Sequence, residues 1–150
     1  MVDQPVHILL VEDDEVDAEA VVRAFHKQQI PHPITIVSDG FEALHVLRGE
    51  KGHERLPSPY LILLDLNMPR MNGIEFLHTL RQDPELCGSI VFVLTTSDSN
   101  KDKLAAYSAQ IAGYLLKQRA GENFVNLMDM LSIYWRVVEF PPEDRKWLHS

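Results

Sequence analysis

The sequence has little of what marks a secreted, membrane-spanning or nucleic-acid-binding protein. It contains one cysteine, Cys87, which excludes an internal disulfide framework, and its first five residues lack the basic start and apolar core of a signal peptide. All of its apolar runs fall short of the roughly 18 residues that a membrane span needs. Acidic residues outnumber basic ones by 22 to 14, and the formal charge of −8 opposes contact with a phosphate backbone. We therefore expect a cytoplasmic protein that binds neither a membrane nor nucleic acid directly.

The length and composition predict one domain. Hydrophobic residues make up 45% and charged residues 24% of the 150 positions, which is typical of a globular chain with a single core. We expect residues 1–150 to form this one domain, with no second domain attached. Its core should lie between about residues 6 and 138, followed by a short tail over residues 139–150.

The hydrophobic pattern predicts an α/β fold. Apolar runs typical of buried parallel strands occur at residues 6–11, 34–37, 60–64, 90–94 and 114–116. Segments with helical spacing occur between and after them, at about residues 14–26, 40–48, from 73 onward, 101–110 and 122–138. In the first helix we expect an apolar side on which Val16, Ala20 and Ala24 lie four apart, with Val21 and Phe25 alongside. The alternation predicts a doubly wound, five-stranded parallel sheet with five helices.

Acidic, hydroxyl and basic residues follow the predicted strands. Glu12, Asp13 and Asp14 end the first strand, Asp65 the third, Thr95 and Thr96 the fourth, and Lys117 the fifth. Because ligands of open α/β sheets bind at the carboxyl ends of the strands, we expect these residues to line one crevice. Clustered carboxylates repel one another unless a cation lies among them, and hard oxygen ligands suit Mg²⁺. Asp13 or Asp14 could instead cap the first helix.

Asp65 is the expected nucleophile of this crevice. A carboxylate can accept a phosphoryl group if the incoming negative charge is neutralised, which a metal ion and Lys117 would do here. Phosphoryl transfer depends mainly on positioning and electrostatic stabilisation. The hydroxyl of Thr95 is the expected donor to the phosphoryl oxygens, and Thr96 is the second candidate.

Four segments resemble the receiver domains of bacterial two-component response regulators in their order and spacing. They are ILLVEDD at residues 8–14, LLDLNMPRMNG at 63–73, VLTTS at 93–97 and GYLLK at 113–117. The resemblance covers about residues 6–135 and implies the flavodoxin-like receiver fold, with strand order 2-1-3-4-5. It also implies a response regulator without an output domain. Such a protein signals through protein partners and is not an enzyme, apart from self-catalysed phosphotransfer and dephosphorylation.

The resemblance implies roles for the acidic residues. Asp65 would accept a phosphoryl group from a sensor histidine kinase. Glu12 and Asp13 would bind Mg²⁺ or Mn²⁺ together with Asp65. The backbone carbonyl of Asn67 would complete the protein ligands of the metal ion.

The resemblance also implies roles at the ends of the fourth and fifth strands. Thr95 matches the hydroxyl that moves toward the phosphoryl group, Lys117 the cation of the family and Tyr114 the aromatic side chain that switches rotamer. Tyr114 could also be an ordinary half-buried strand residue. The sequence departs from the family at Gln118, where a proline in a cis peptide usually follows the lysine. Since a non-proline cis bond costs roughly 2.5–4 kcal/mol, we expect either a strained bond or a trans bond in a rearranged loop.

The predicted last helix is apolar on nearly all sides. One stripe would cover the sheet, while a second apolar side consists of Val125, Met130, Ile133, Tyr134 and Val137. Either the tail with Phe140 folds back over this side, or the side and Phe140 form a homodimer interface, which we favour. A stand-alone receiver with a non-proline residue after the lysine, and with a Trp-containing last helix that runs into a proline-bearing tail, resembles the response regulators that partner bacterial phytochromes. The resemblance implies a histidine kinase of phytochrome type.

Three other functions remain open at the level of sequence. An aspartyl phosphatase of the haloacid dehalogenase type would use the same nucleophile, but it needs a second acid two residues on, where this chain has Asn67. A flavin-binding module of flavodoxin type needs a phosphate-cradling loop after the first strand, where this chain has three acids. A receiver-like module could also bind partners without phosphorylation, and Gln118 is the feature that points to it.

Overall fold

The computed structural model describes residues 5–142, which form five strands and five α-helices. The strands are β1 (His7–Val11), β2 (Ile34–Val37), β3 (Tyr60–Leu64), β4 (Ile90–Thr95) and β5 (Gly113–Leu116). The helices are α1 (Glu15–Lys27), α2 (Gly40–Arg48), α3 (Gly73–Gln82), α4 (Asn100–Ser108) and α5 (Val125–Val137). Most of the predicted tail and the N-terminal residues 1–4 lie outside the described residues. None of these five helices has both the length and the apolar character that a membrane span requires.

All five strands are parallel and lie in the order β2-β1-β3-β4-β5, so the predicted fold is confirmed. The strand pairing aligns the carboxyl ends of the central strands. Val11 of β1 lies opposite Leu64 of β3, which in turn lies opposite Val93 of β4. Thr95 at the end of β4 lies opposite Leu116 of β5. The residues that follow these positions therefore meet at one edge of the sheet.

The sheet separates two hydrophobic layers because alternate residues of each strand point to opposite faces. Leu9, Ile62 and Val91 face one layer, which α2, α3 and α4 cover. Ile8 and Leu61 face the other layer, which α1 and α5 cover. Side chains of the central strands are thus buried on both faces, as the continuous apolar runs predicted.

The first helix buries most of the expected apolar side, including Ala24, but not its first residue, Val16. Val16 is 72% exposed, whereas Val21 and Phe25 are buried. The reason lies in the helix start: the side chain of Asp14 accepts hydrogen bonds from the N–H groups of Val16 and Asp17, so Asp14 is the N-cap. This cap fixes the first turn with Val16 toward solvent. Asp14 therefore caps the first helix, which was the alternative to a place in the acidic crevice.

The last helix begins at Val125, not near Glu122 as expected. Gly121 has φ +87°, and Asn123 and Phe124 have φ +54° and +58°, so an α-helix cannot pass through this segment. Short 3₁₀ turns at Lys117–Arg119 and Glu122–Phe124 replace the missing helical turns.

The fourth helix is also displaced from its predicted range of about residues 101–110. It runs from Asn100 to Ser108. The hydroxyl of Ser99 accepts a hydrogen bond from the N–H of Asp102 and so caps the helix one residue earlier than expected. Gln110 has φ +63°, which places it outside the helix.

The second apolar side of α5 is partly covered by the chain itself. The ring of Tyr134 packs edge-on against Phe92 of the sheet, with centroids 4.9 Å apart, and Phe140 packs against Tyr134 at 6.3 Å. The first part of the tail therefore folds back, as one of the two alternatives predicted. Ile133 and Val137 remain 57% and 74% exposed. Tyr134 and Phe140 thus belong to the packing of the domain, which leaves a smaller exposed face than expected.

Candidate functional site

The carboxyl ends of β1, β3 and β4 bring three polar side chains into the protein interior. Glu12 and Asp65 are 5% and 7% exposed, and Thr95 is fully buried. The backbone fixes the two acids in place, since the N–H of Glu12 donates to the carbonyl of Val37 and that of Asp65 to the carbonyl of Val11. Both carboxylates are therefore set by hydrogen bonds that continue the sheet by one residue.

Lys117 reaches into this cluster from the end of β5. Its Nζ lies 2.6 Å from Oε1 of Glu12, 2.7 Å from Oδ2 of Asp17 and 3.4 Å from Oδ2 of Asp65. The side chain of Lys117 is 11% exposed, so these ion pairs are largely shielded from water. One cation thus faces three carboxylates.

The loop after Lys117 is rearranged around a trans bond, which is one of the two forms expected because Gln118 replaces the usual proline. The Lys117–Gln118 peptide bond is trans, and the chain turns into a short 3₁₀ segment. The side-chain amide of Gln118 donates to the carbonyl of Thr96 at 3.3 Å. This contact joins the ends of β4 and β5, and Lys117 still reaches the acids without the proline.

Asp17 is a member of the site that the sequence did not identify. It lies in the first turn of α1, and its half-buried carboxylate accepts a hydrogen bond from Lys117. A signal for it was present, because Asp17 is an acid in the first turn of the helix that starts directly after the acidic end of β1. Asp17 follows no strand, so it is not among the residues that the strand ends predict for the crevice.

The charges of the cluster shift its ionisation. Burial is the main cause that raises the pKa of Glu12 to about 9, and the neighbouring Asp65 adds to it. Burial also acts to raise the pKa of Asp65, but the hydrogen bond with Glu12 and the charge of Lys117 outweigh it and lower that pKa. The pKa of Lys117 is raised despite burial, because Asp17 and Glu12 stabilise its charged form. Burial therefore favours the neutral form of Glu12, and Lys117 favours the ionised form of Asp65.

The same cluster fits a divalent cation. Glu12, Asp13 and Asp65 each offer a carboxylate oxygen, and these oxygens lie within 4.8 Å of one another. Oε2 of Glu12 is buried without a hydrogen-bond partner among the described residues. A buried carboxylate oxygen of this kind needs a proton or a cation, and hard oxygen donors suit Mg²⁺ and Mn²⁺. Asp13 is exposed, which leaves an approach from solvent.

Asn67, the remaining predicted ligand, lies beside Asp65. Its backbone N–H donates to Oδ1 of Asp65 at 3.4 Å, while Lys117 lies on the side of Oδ2. The Asn67 side chain is exposed. Binding of a metal ion by the Asn67 carbonyl remains a prediction.

Thr95 and Tyr114 hold the loop that joins β4 to α4. The hydroxyl of Thr95 helps to lower the pKa of Asp65, and it accepts a hydrogen bond from the N–H of Ser97 at 3.3 Å. The hydroxyl of Tyr114 donates to the carbonyl of Ser97 at 2.8 Å. Ser97 is thus tied to both residues. Thr96, the second candidate donor, is exposed and contributes its carbonyl to Gln118.

Gly73 permits the close approach of α3 to the backbone of Asp65. A Cβ atom at this position would lie 2.6 Å from the carbonyl oxygen of Asp65 and 2.7 Å from Cα of Leu66. The N–H of Gly73 also donates to the carbonyl of Leu66. Glycine is therefore required here for packing beside Asp65, in addition to its predicted place at the start of a helix.

A second ion pair, between Asp39 and Arg70, fixes the other side of the β3–α3 loop. Asp39 is the buried N-cap of α2 and accepts hydrogen bonds from the N–H of Glu42 at 2.9 Å and from Nε of Arg70 at 2.7 Å. Burial acts to raise the pKa of Asp39, but these two donors outweigh it and hold the pKa below its ordinary value. The loop that carries Asn67 is therefore anchored to α2.

Replacing Asp39 by asparagine should lower the stability of the protein at neutral pH by about 1 kcal/mol, because Asn caps a helix as well as Asp but cannot form the ion pair. A carboxylate whose pKa is depressed by folding stabilises the protein above its unfolded pKa and loses this effect as the pH falls through the folded pKa. The difference between wild type and Asp39→Asn in urea unfolding should therefore shrink between about pH 7 and about pH 3. If the two proteins differed equally in unfolding free energy at both pH values, the ion pair of Asp39 with Arg70 would not be the cause. The same conclusion would follow if Asp39→Asn cost as much stability in an Arg70→Gln background.

Comparison with known proteins agrees with this geometry. Residues 8–129 match the family model of the response regulator receiver domain. Response regulator Rcp1 of Synechocystis is 36% identical over 131 residues, which cover 87% of this chain and 89% of Rcp1.

Two solved structures are similar over most of this chain. The crystal structure of the Mn²⁺-bound form of Rcp1 has a TM-score of 0.81 and 35% identity, and the match covers 92% of this chain and 100% of Rcp1. The structure of the phosphorylated cyanobacterial phytochrome response regulator RcpA has a TM-score of 0.83 and 31% identity, covering 93% and 100% of the two chains. The acidic cluster of Glu12, Asp13 and Asp65 fits the divalent-metal site of receiver domains. The chain therefore belongs to the family of response regulator receiver domains and is closely similar to phytochrome response regulators.

Proposed function

We propose that this protein accepts a phosphoryl group on Asp65 from a sensor histidine kinase. The observation that carries the proposal is a buried carboxylate at the end of β3, whose Oδ2 lies 3.4 Å from Nζ of Lys117, with Lys117 and Thr95 both favouring its ionised form. An ionised oxygen can attack phosphorus, and the cation and hydroxyl stand where negative charge would build up. The similarity to RcpA, which is known in a phosphorylated form, supports the same conclusion.

In the proposed reaction an oxygen of Asp65 bonds to phosphorus while the bond from phosphorus to the donor breaks. The electron pair of that bond stays with the donor, which is an imidazole nitrogen in a phosphohistidine and an acetate oxygen in acetyl phosphate. Lys117 and Thr95 bind the equatorial phosphoryl oxygens. Glu12, Asp13, Asp65 and the carbonyl of Asn67 would hold Mg²⁺ or Mn²⁺, which supplies further neutralisation of the phosphoryl charge.

We propose that the signal leaves the site through the β4–α4 loop. Movement of Thr95 toward a phosphoryl group would pull on Ser97, whose N–H donates to the Thr95 hydroxyl. The carbonyl of the same residue accepts the hydrogen bond from Tyr114. Tyr114 would therefore change rotamer as the loop moves, and the surface around β5 would change with it.

The proposed donor is a histidine kinase of phytochrome type. Membership of the family implies a sensor kinase as partner. Similarity to RcpA, a phytochrome response regulator, favours a kinase of that type. Phosphotransfer from a purified phytochrome kinase, compared with transfer from an unrelated histidine kinase, tests this choice. Equal or slower transfer from the phytochrome kinase would contradict it.

Acetyl phosphate tests the phosphoryl-acceptor function without a kinase. After incubation with acetyl phosphate and Mg²⁺, the intact mass should increase by one phosphoryl group, and EDTA should prevent the increase because the phosphoryl charge is then not neutralised. A chain that gains no phosphoryl group in Mg²⁺ would instead be a receiver-like module that binds partners without phosphorylation. An equal gain in EDTA would contradict the role of the metal ion.

We also propose that the exposed face of α5 forms a homodimer interface. Val125, Ile133 and Val137 are 38%, 57% and 74% exposed, and their spacing in multiples of four places them on one side of the helix. Met130 is half-buried beside them. An exposed apolar stripe of this kind is typical of a surface that meets a second protein, and a two-fold axis lets one helix cover its own copy.

Light scattering tests the dimer. Wild type should have the mass of two chains, whereas the double variant Ile133→Asp, Val137→Asp should have the mass of one, because each dimer would bury four unpaired carboxylates. Val16→Asp is the matched control, since Val16 is 72% exposed on α1 and the substitution is chemically the same. A monomeric wild type, or a dimeric double variant, would contradict the proposal.

A further inference from the structure

Lys117 is closer to Asp17 than to the proposed phosphoryl acceptor. Its Nζ lies 2.7 Å from Oδ2 of Asp17 and 3.4 Å from Oδ2 of Asp65. The shorter distance corresponds to a good charge-assisted hydrogen bond, and the longer one is at the limit of hydrogen bonding. In this state the ammonium group is therefore held between Asp17 on α1 and Glu12, whose Oε1 lies 2.6 Å away, and is farther from Asp65.

Asp17 contacts the cation of the site and stands apart from the acids that would bind a metal ion. The carboxylate oxygens that approach within 4.8 Å of one another belong to Glu12, Asp13 and Asp65. Asp17 is also more accessible, with 34% of its side chain exposed against 4% for Glu12. The two partners of Lys117 thus differ: Glu12 is a buried member of the metal cluster, and Asp17 is a half-exposed acid on a helix.

A phosphoryl group on Asp65 would compete with Asp17 for Lys117. It would place several negatively charged oxygens next to Oδ2 of Asp65, where Lys117 is at present only loosely bound. To reach them, the ammonium group must give up part of its hydrogen bond to Asp17. The two states of the site therefore differ in how strongly Asp17 holds Lys117.

We propose that Asp17 is a positioning residue that retains Lys117 in the resting state and so opposes the phosphorylated state. The inference rests on the proposed function, because it assumes that Asp65 is the acceptor. Asp17 acts through Lys117 and touches no reacting atom. Its ion pair biases the equilibrium between a lysine directed to α1 and a lysine directed to Asp65.

Beryllofluoride, a stable mimic of a phosphoryl group, tests the inference in the presence of Mg²⁺. The affinity of wild type and Asp17→Asn for beryllofluoride can be measured by calorimetry. Asp17→Asn should bind it about threefold more tightly, which is the size expected for the loss of one partly exposed ion pair. Asp17→Glu should restore the affinity of wild type, because it keeps the charge. Glu15→Gln, which removes an exposed acid from the same helical turn, should change the affinity less than Asp17→Asn does.

A double-mutant cycle with Lys117 separates positioning from a general effect of charge. In a Lys117→Ala background, Asp17→Asn should leave the affinity unchanged, since no lysine remains to be retained. An equal gain in both backgrounds would overturn the inference, as would an Asp17→Asn variant that binds no more tightly than wild type. If wild type itself takes up no beryllofluoride, the proposed function fails, and the inference fails with it.

Discussion

Replacing Asp65 by asparagine should abolish phosphorylation by acetyl phosphate and leave the fold intact. The amide has nearly the shape of the carboxylate, but it lacks the anionic oxygen that attacks phosphorus. Lys117 keeps its closer partners, Glu12 and Asp17, so the buried ammonium group does not become unpaired. The loss of the attraction between Asp65 and Lys117 is offset, because Asp65 no longer raises the pKa of the buried Glu12. The melting temperature without Mg²⁺ should therefore stay close to that of wild type.

Asp14→Asn is the matched control for this experiment. It makes the same chemical change one residue beyond Asp13, at the N-cap of α1, where Asn serves as well as Asp. This variant should acquire the phosphoryl group at the rate of wild type. If the Asp65→Asn variant gained the same adduct as wild type, the acceptor would have to be another residue.

Replacing Lys117 by alanine should slow phosphorylation by about 100-fold or more, the size of effect seen when one stabilising group is removed from a charged transition state. Lys117 is the one cation bonded to Glu12, Asp17 and Asp65 in the described part of the chain. Without it, the charge that develops on the phosphoryl oxygens is neutralised by the metal ion alone. The rate of adduct formation, followed by intact mass over time, measures the loss.

The same variant should separate phosphorylation from metal binding. Removal of a positive charge next to the acidic cluster lowers the repulsion of an incoming cation, so the affinity for Mg²⁺ should stay equal or increase. Lys103→Ala provides the control, because Lys103 is paired with Asp98 on the surface of α4. A Lys117→Ala variant that is phosphorylated as fast as wild type would contradict the role of the lysine, whatever its affinity for metal.

The sequence predicted the sheet well because its signal is local and strong. The runs at β1, β3 and β4 are apolar without interruption, as strands buried on both faces must be. Once the strands are known, the fold places their carboxyl ends together. For this reason the meeting of Glu12, Asp65, Thr95 and Lys117 could be expected from the sequence alone.

The sequence did not predict contacts that depend on side-chain packing between distant elements. The pair of Asp39 and Arg70 joins residues 31 positions apart, and no spacing rule connects them. The contact of Asp17 with Lys117 joins residues 100 positions apart. Because Asp17 lies on a helix, it is not among the residues that end a strand.

The predicted start of α5 was wrong for a different reason. Phe124 fits the helical spacing of the apolar stripe that continues at Leu127, but the positive φ angles of Gly121, Asn123 and Phe124 interrupt the helix before Val125. Backbone angles of this kind leave no hydrophobic signal in the sequence. The pattern alone therefore placed the start three residues too early.

The position of the phosphoryl group in the chain tests the central claim most directly. The protein is incubated with acetyl phosphate and Mg²⁺, treated with borohydride, which reduces an acyl phosphate on aspartate to homoserine, and digested for peptide sequencing by mass spectrometry. The account predicts homoserine at position 65 and none at Asp13 or Asp17. Homoserine at another acid, or none at all in a sample whose intact mass shows a phosphoryl group, would contradict it.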